Sequence, residues 1–325
     1  MASPSISVII PAFNRAHLVG YAIDSVLAQR FTDFELIVVD DGSTDATASL
    51  VRKYDDPRIR LVEQDNRGSN AARNAGIRAA KAPLLTFLDS DDLYLSGKLD
   101  HVVRAFAERQ EMDVLVDSFL KLTSPHARRR FIEMRNPVTD CTRDFAKALF
   151  QRNLWKATSA ISVRKSAVER AGLFTEDIKQ RQDFDLLIRL TETADCRSTD
   201  EILWIKTWTA DRITSRGRFI AATLELVRRH PQYYSNTEYR AGLARDLINN
   251  AALLLRERNG RQVMADLRLV ARELGTLRTG LLAAQGLRQA LLRGLRRRRD
   301  ARPKPVSTEA RQALEAARNR ASLRS

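Results

Sequence analysis

The sequence predicts an α/β fold, a mostly parallel sheet covered by helices, with a C-terminal α-helical extension. Three observations predict it. Apolar runs in the first 120 residues are near-continuous rather than alternating, which suits strands buried on both faces. Segments of helical spacing separate these runs, as a layered α/β arrangement requires. Acidic and turn-forming clusters fall where the runs end, and open parallel sheets bind ligands beyond the carboxyl ends of their strands.

Taken in order, Ser5–Pro11 is a short apolar strand. His17–Gln29 follows as a helix, with Leu18, Tyr21, Ala22, Val26 and Leu27 at helical steps. Glu35–Val39 is the second strand and runs into Asp40, Asp41, Gly42 and Ser43. Asp45 suits a helix start, with Leu50, Val51 and Tyr54 facing inward. Ile59–Val62 is the third strand, Ser69–Ala80 a helix and Leu84–Leu88 the fourth strand. Farther on, Val114–Leu122, Ala160–Arg164 and Ile202–Trp208 read as strands, and Arg143–Gln151 and Gln182–Glu192 as helices. From Arg218 the pattern is helical. Leu267, Val270, Leu274, Leu277 and Leu281 recur at three- and four-residue steps, and Leu287, Leu291 and Leu295 extend the stripe. Glycines interrupt it and Pro303 and Pro305 end it. The expected division is an α/β domain over residues 1–215, a basic helical region over 216–300 and a flexible tail over 301–325.

A chain of 325 residues with 44% hydrophobic content supports one large or two modest domains with a real core. It has no run of about 18 apolar residues, so no membrane-crossing helix is expected. The start of the chain lacks a basic stretch followed by an apolar one, so no secretory signal is expected. Cys141 and Cys196 are far apart and lack metal-ligand spacing, which suits reduced thiols in a cytoplasmic protein. Most of the net charge of +15 lies late in the chain, where residues 241–325 carry 19 Lys and Arg against 7 Asp and Glu. Such a tail suits an anionic membrane surface or a nucleic acid. Aromatic interleaving, zinc-ligand spacing and a recognition motif are absent, so no nucleic acid is expected. The Leu and Arg stretch over residues 265–299 suits an anionic leaflet, at the inner face of the membrane, or else a packed helical subdomain or a dimer helix with a solvated basic face.

The most informative cluster is Asp89-Ser90-Asp91-Asp92, directly after the apolar run Leu84–Leu88. Two carboxylates about 4 Å apart repel by roughly 4 kcal/mol at an effective dielectric near 20. A cation between them relieves this, and hard oxygen ligands suit Mg²⁺ or Mn²⁺. Mg²⁺ in turn is commonly shared with phosphates. The alternative is a solvated acidic turn that caps the next helix.

Four motifs then occur in one order: Ser7-Val8-Ile9-Ile10-Pro11-Ala12-Phe13-Asn14, Val38-Val39-Asp40-Asp41-Gly42-Ser43, Asn66-Arg67-Gly68 with Ala72-Arg73-Asn74-Ala75-Gly76, and Phe87-Leu88-Asp89-Ser90-Asp91-Asp92. Together they resemble the family 2 glycosyltransferases, over roughly Ser5 to Thr214. The resemblance implies a GT-A fold and a Mn²⁺- or Mg²⁺-dependent, inverting transfer. The donor is a nucleotide-sugar, UDP-linked foremost, and the acceptor a hydroxyl of a glycan or lipid-linked sugar. It implies that Pro11, Ala12, Phe13 and Asn14 form the loop under the base. Asp41 contacts the base, and Asp40 the base or ribose. Arg67, Gly68 and Arg73 lie at the diphosphate or ribose. Asp89 and Ser90 contact the donor or metal waters, and Asp91 binds the metal. A second signature, Gln182-Asp183-Phe184-Asp185, resembles the helix start that carries the family's base, which makes Asp183 the candidate.

The chain departs from the family at three points. Phe13 stands where Tyr is frequent, keeping a stacking face without a hydroxyl, and Gln182 stands where Glu is frequent. No His occurs in Trp204–Thr214, where many relatives carry one for the metal or diphosphate. Lys206 or Arg212 could supply charge in its place, and Trp208 could pack against acceptor sugar. The Gln-x-x-Arg-Trp signature of processive synthases is absent, which points to transfer of single sugars. Two other readings stay open on sequence: a non-catalytic scaffold of the same family, and a basic nucleic-acid-binding protein, which leaves the acidic clusters unexplained.

Overall fold

The computed structural model describes residues 3–122, 131–207, 219–256 and 259–274. In the first part, β1 (Ile6–Ala12), α1 (Val19–Leu27), β2 (Phe34–Asp40), α2 (Thr47–Val51), β3 (Ile59–Glu63), α3 (Ser69–Ala79) and β4 (Leu84–Phe87) alternate as expected. The chain continues through β5 (Leu93–Tyr94), α4 (Lys98–Glu108), β6 (Val114–Leu122), β7 (Phe131–Met134), α5 (Thr142–Phe150), β8 (Ile161–Arg164), α6 (Lys165–Arg170), α7 (Gln182–Thr193) and β9 (Cys196–Lys206). Four helices close the described chain: α8 (Phe219–Arg229), α9 (Gln232–Ser235), α10 (Thr237–Arg256) and α11 (Gly260–Leu274).

The strands form one sheet in the order β3-β2-β1-β4-β8-β6-β9-β5, with β7 paired to β6. β1 to β4 are mutually parallel. β8 runs antiparallel between β4 and β6, and β6 and β9 are parallel. Every residue of β1 and β2 is buried, which explains their unbroken apolar character. Pro11 sits inside β1, opposite Val39, rather than in the loop after it. The Ile9 carbonyl accepts the Leu88 amide on the β4 side, so Pro11 also faces that side, beyond the last paired residue Phe87. Its missing N–H therefore removes no ladder bond.

The core packs both faces of the sheet. Phe87 meets Phe174 edge to face at 5.2 Å, and Phe119 stacks on Trp204 at 4.4 Å. The C-terminal helices join this core through Ile220, Leu224, Val227, Leu243 and Val270. Tyr239 of α10 stacks on Phe150 of α5 at 4.0 Å.

The structure departs from expectation in its second half. The last strand begins at Cys196, not Ile202, and its register against β6 shifts between Val116 and Phe119. Asp45 accepts the Thr47 amide at 2.9 Å just ahead of α2, but the cap position is Ala46 and makes no side-chain cap bond. The leucine stripe is described only to Leu274, where Val270 is buried and Leu267 is 38% exposed. Trp208, Arg212 and the chain from residue 275 lie outside the described residues. Among the described residues no helix is long and apolar enough to cross a membrane.

Candidate active site

The site forms where β1, β2 and β4 end. Asp40 closes β2, and the backbone there turns sharply through Gly42, which has φ +74°. A Cβ on Gly42 would meet the Asn66 amide nitrogen at 2.8 Å, so only glycine fits. Asp41 then reaches across to the next loop. Its carboxylate accepts Gln64 Nε2 at 2.7 Å, the Arg67 amide at 2.9 Å and the Gly68 amide at 2.8 Å. Gly68 holds φ +94° and starts α3. Asp40 is buried and uses one oxygen, Oδ2, to accept the Ser43 amide at 3.1 Å. Its Oδ1 is buried with no hydrogen-bond partner among the described residues.

Asn14 takes a left-handed conformation at φ 52°. Its side-chain oxygen accepts the Thr44 amide at 2.9 Å and the Asp45 amide at 3.3 Å, fixing the turn after β2. Phe13 is 43% exposed, so it is not the core residue that an apolar side chain beside a buried strand suggests. Ala12 lies within β1 with Pro11, so of the four residues only Phe13 and Asn14 leave the strand.

Asp89, Asp91 and Asp92 converge after β4, each offering an oxygen within 4.8 Å of the others. Arg73, buried on α3, donates to Asp89 Oδ1 at 2.6 Å. Ser159 fastens the turn from the neighbouring strand connection. Its hydroxyl donates to Asp92 Oδ2 at 2.8 Å and accepts the Asp89 amide at 3.1 Å. The Thr207 amide donates to Asp92 Oδ1 at 3.1 Å. Asp92 is thus bound into the sheet, and the cap position of α4 is held by Gly97 instead. Ser90 is buried in the same turn. Arg67 points away, with its guanidinium paired to Glu176 at 2.8 Å.

The electrostatics follow from this crowding. Burial pushes the Asp92 carboxyl up to about 7, with Lys206 pulling the other way and the Asp89 and Asp91 charges adding to the rise. Burial, then the Asp89 charge, also raises Asp91 above the ordinary carboxylate value. Burial acts against ionised Asp89 too, but Arg73 and Lys206 outweigh it and hold Asp89 low. Lys206, at the end of β9, is drawn the same way. Burial disfavours its charge, but Asp92, Asp89, Asp91 and Asp183 together hold it above the ordinary lysine value. Three acids gathered this closely, two of them resisting ionisation, fit a divalent cation.

Asp183 lies in the first turn of α7, half-buried, and feels Lys206 and Lys156. Asp185, two residues on, is committed to structure. It accepts Thr175 Oγ1 at 2.7 Å, Arg189 Nη2 at 2.8 Å and lies 3.0 Å from His230 Nε2. Burial is opposed by these His230, Thr175 and Arg189 contacts, which bring Asp185 down to about 2. Asp183 accepts only the amide of its neighbour Phe184, at 2.8 Å, among the described residues.

Sequence reasoning brought Asp40, Asp41, Gly68, Arg73, Asp89, Ser90, Asp91 and Asp183 to this end of the sheet. It missed Ser159, Thr207 and Lys156. Ser159 lies 67 residues from Asp92, and no local pattern marks it.

Residues 7–167 match the model of glycosyl transferase family 2. Over these residues the chain is a glycosyl transferase family 2 domain. The chain is 32% identical over 212 residues to the glycosyltransferase EpsJ of Bacillus subtilis, covering 62% of this chain and 60% of EpsJ. It is 38% identical over 96 residues to WfgD of Escherichia coli, named a UDP-Glc:alpha-D-GlcNAc-diphosphoundecaprenol beta-1,3-glucosyltransferase, covering 29% of this chain and 38% of WfgD. The chain spans 60 to 63% of the length of the first curated relatives it matches. Its fold matches Staphylococcus aureus TarS 1-349 in complex with UDP-GlcNAc at a TM-score of 0.64 and 18% identity, over 87% of this chain and 88% of that one. The architecture is that of the GT-A glycosyltransferases.

Proposed function

We propose that this family 2 glycosyltransferase moves single sugars from a nucleoside-diphosphate sugar, UDP-linked foremost, to a hydroxyl of a glycan or lipid-linked acceptor in polysaccharide synthesis. The observation that carries this is the acidic trio after β4, whose members each offer an oxygen within 4.8 Å of the others beside the buried Arg73. Lys206 feels both this trio and Asp183 at the head of α7.

In this reading Phe13 stacks under the base, and the unpartnered Asp40 Oδ1 accepts a donor N–H or O–H from base or ribose. Asp41 holds the Gln64–Gly68 loop in place rather than touching the base through a free oxygen. Asp91, with Asp89 beside it, holds Mn²⁺ or Mg²⁺, which when bound neutralises charge on the leaving diphosphate. Arg73 and Lys206 add fixed positive charge at the same place, so a lysine serves where relatives carry His. Asp183 takes the proton of the acceptor hydroxyl on the face opposite the leaving group, and the anomeric centre inverts.

The catalytic unit is assigned to residues 1–215, with a basic helical region over 216–300 and a tail over 301–325. The basic region lies on an anionic leaflet at the inner membrane face, where each Lys or Arg contributes about 1 kcal/mol. Nucleic acid is not a partner in this reading.

The test is a thermal-shift panel of UDP, GDP, dTDP and CMP, each with and without Mn²⁺, on wild type and Asp91→Ala. A nucleotide that raises the melting temperature only with Mn²⁺, and only in wild type, supports the reading. No shift with any pair sinks it.

A further inference from the structure

A second charged cluster lies near Asp183, whose charge acts on its Lys156. Arg152, Lys156, Arg181 and Arg245 come together at the head of α7. Arg152 donates from Nε to Asp246 Oδ2 at 2.7 Å, and Arg181 Nη2 lies 3.1 Å from the same oxygen. Arg152 Nη1 donates to Tyr233 Oη at 2.9 Å and to the Phe150 carbonyl at 3.0 Å. Arg245 Nη1 donates to the Arg152 carbonyl and to Asn153 Oδ1. One carboxylate, Asp246, therefore serves two guanidinium groups.

Several donors in this cluster are left over. Arg152 Nη2, Arg181 Nε and Arg245 Nε are buried with no hydrogen-bond partner among the described residues. Lys156 makes no hydrogen bond or ion pair among the described residues, and its Nζ lies 4.3 Å from the Phe184 ring centroid. The Arg152 guanidinium lies 4.1 Å from the centroid of the same ring. Two cations on one buried ring gain some cation–π attraction but repel each other. Burial, opposed by Asp183 and joined by Arg152 and Arg181, lowers Lys156 to about 8. Four cations against Asp246 and Asp183 leave an excess of positive charge in a desolvated place. A fold accepts that most readily where an anion binds.

We infer that Lys156, Arg181 and Arg152 form an acceptor-side anion site for a phosphate ester carried next to the sugar whose hydroxyl Asp183 deprotonates. The inference rests on the proposed transfer and narrows its acceptor to phosphorylated sugars. Guanidinium and ammonium donors suit phosphate oxygens, and the unused N–H groups supply the missing partners. The phosphate belongs either to a glycosyl diphosphate on a lipid or to a phosphate on the glycan itself.

Isothermal titration separates the outcomes. Wild type and Lys156→Gln are first saturated with UDP and Mn²⁺, then titrated with glucose 1-phosphate, free glucose and geranyl diphosphate. The expected result is that a phosphorylated probe binds wild type, glucose binds more weakly, and Lys156→Gln loses about tenfold in affinity for the phosphorylated probe. Lys156→Arg restores binding, and UDP binding is the check that each variant is folded. Tighter binding of geranyl diphosphate identifies the lipid-linked source, and tighter binding of glucose 1-phosphate the glycan phosphate. If UDP binds but the phosphorylated probes do not, or bind Lys156→Gln as tightly as wild type, the anion site is refuted while the donor reading stands. If UDP itself fails to bind, the donor reading fails first.

Discussion

Arg73 and Asp89 meet at 2.6 Å, the one buried on α3 and the other in the turn beyond β4. The contact ties the helix that begins at Gly68 to the acids after the central strand. It also makes Asp89 the member of the trio that stays ionised without a metal.

Replacing Arg73 with Gln leaves Asp89 without that counter-charge. UDP–Mn²⁺ affinity falls by about tenfold or more, and the melting temperature drops by several degrees, because a half-buried carboxylate loses its partner. Titration calorimetry and thermal melts check both.

Asp91→Asn gives the opposite sign for stability. Asp91 is held up by burial and by Asp89, so its charge strains the metal-free fold. The sign follows from linkage: a carboxyl with a raised folded pKa loses stability as pH rises through that value. At pH 8 the metal-free variant therefore melts above wild type, while UDP with Mn²⁺ no longer shifts it. A variant that still gains Mn²⁺-dependent stabilisation sinks the assignment of Asp91.

Asp183→Asn lowers the transfer rate by about 100-fold or more, the usual contribution of a general base. UDP binding stays within a factor of about two, since Asp183 does not touch the donor diphosphate in this reading. Rate and affinity that fall together point to a structural role instead.

Asp185 supplies an acid-side prediction. Its carboxyl sits near 2 in the fold against an ordinary 3.8. A depressed folded pKa contributes stability above the ordinary value, and this is lost as pH falls through the folded one. The difference amounts to about 2 kcal/mol, present above about pH 4 and gone below about pH 2. Asp185→Asn removes that pH dependence and lowers stability at pH 7, as urea unfolding across pH 2 to 7 shows.

Lys156 gives the basic-side counterpart. Its folded value of about 8 lies under the ordinary 10.5, so its charge costs stability progressively as pH falls from 10.5 to 8. Lys156→Gln melts above wild type at pH 7, and the gap closes above about pH 10.5. Equal melting temperatures at both pH values contradict the desolvated-lysine reading.

Much of the donor half was legible because its signals are local. β1 and β2 are unbroken apolar runs buried along their whole length. Gly42 and Gly68 mark the turns that the backbone needs there. The remainder was not legible, for physical reasons. β5 has two residues, and β7 is largely part-exposed, so neither shows the unbroken apolar run that marks β4. The first half of β9 is interrupted by Asp200 and Glu201, which face solvent across from a register shift in β6. Ser159 acts only because β8 inserts beside β4, and Lys156 stands in its cluster only because α10 brings Asp246 to Arg152, which shares the Phe184 ring with it. Such contacts are set by long-range pairing, not by neighbours in the chain.

The β4–β8 boundary is a seam between two halves of the sheet, and a single hydroxyl crosses it to grip two acids at once. A displacement of the Thr158–Ala160 turn by a fraction of an ångström lengthens both of those bonds together. Whatever settles against the second half is thus felt by the Asp92 carboxylate and the Asp89 backbone of the first.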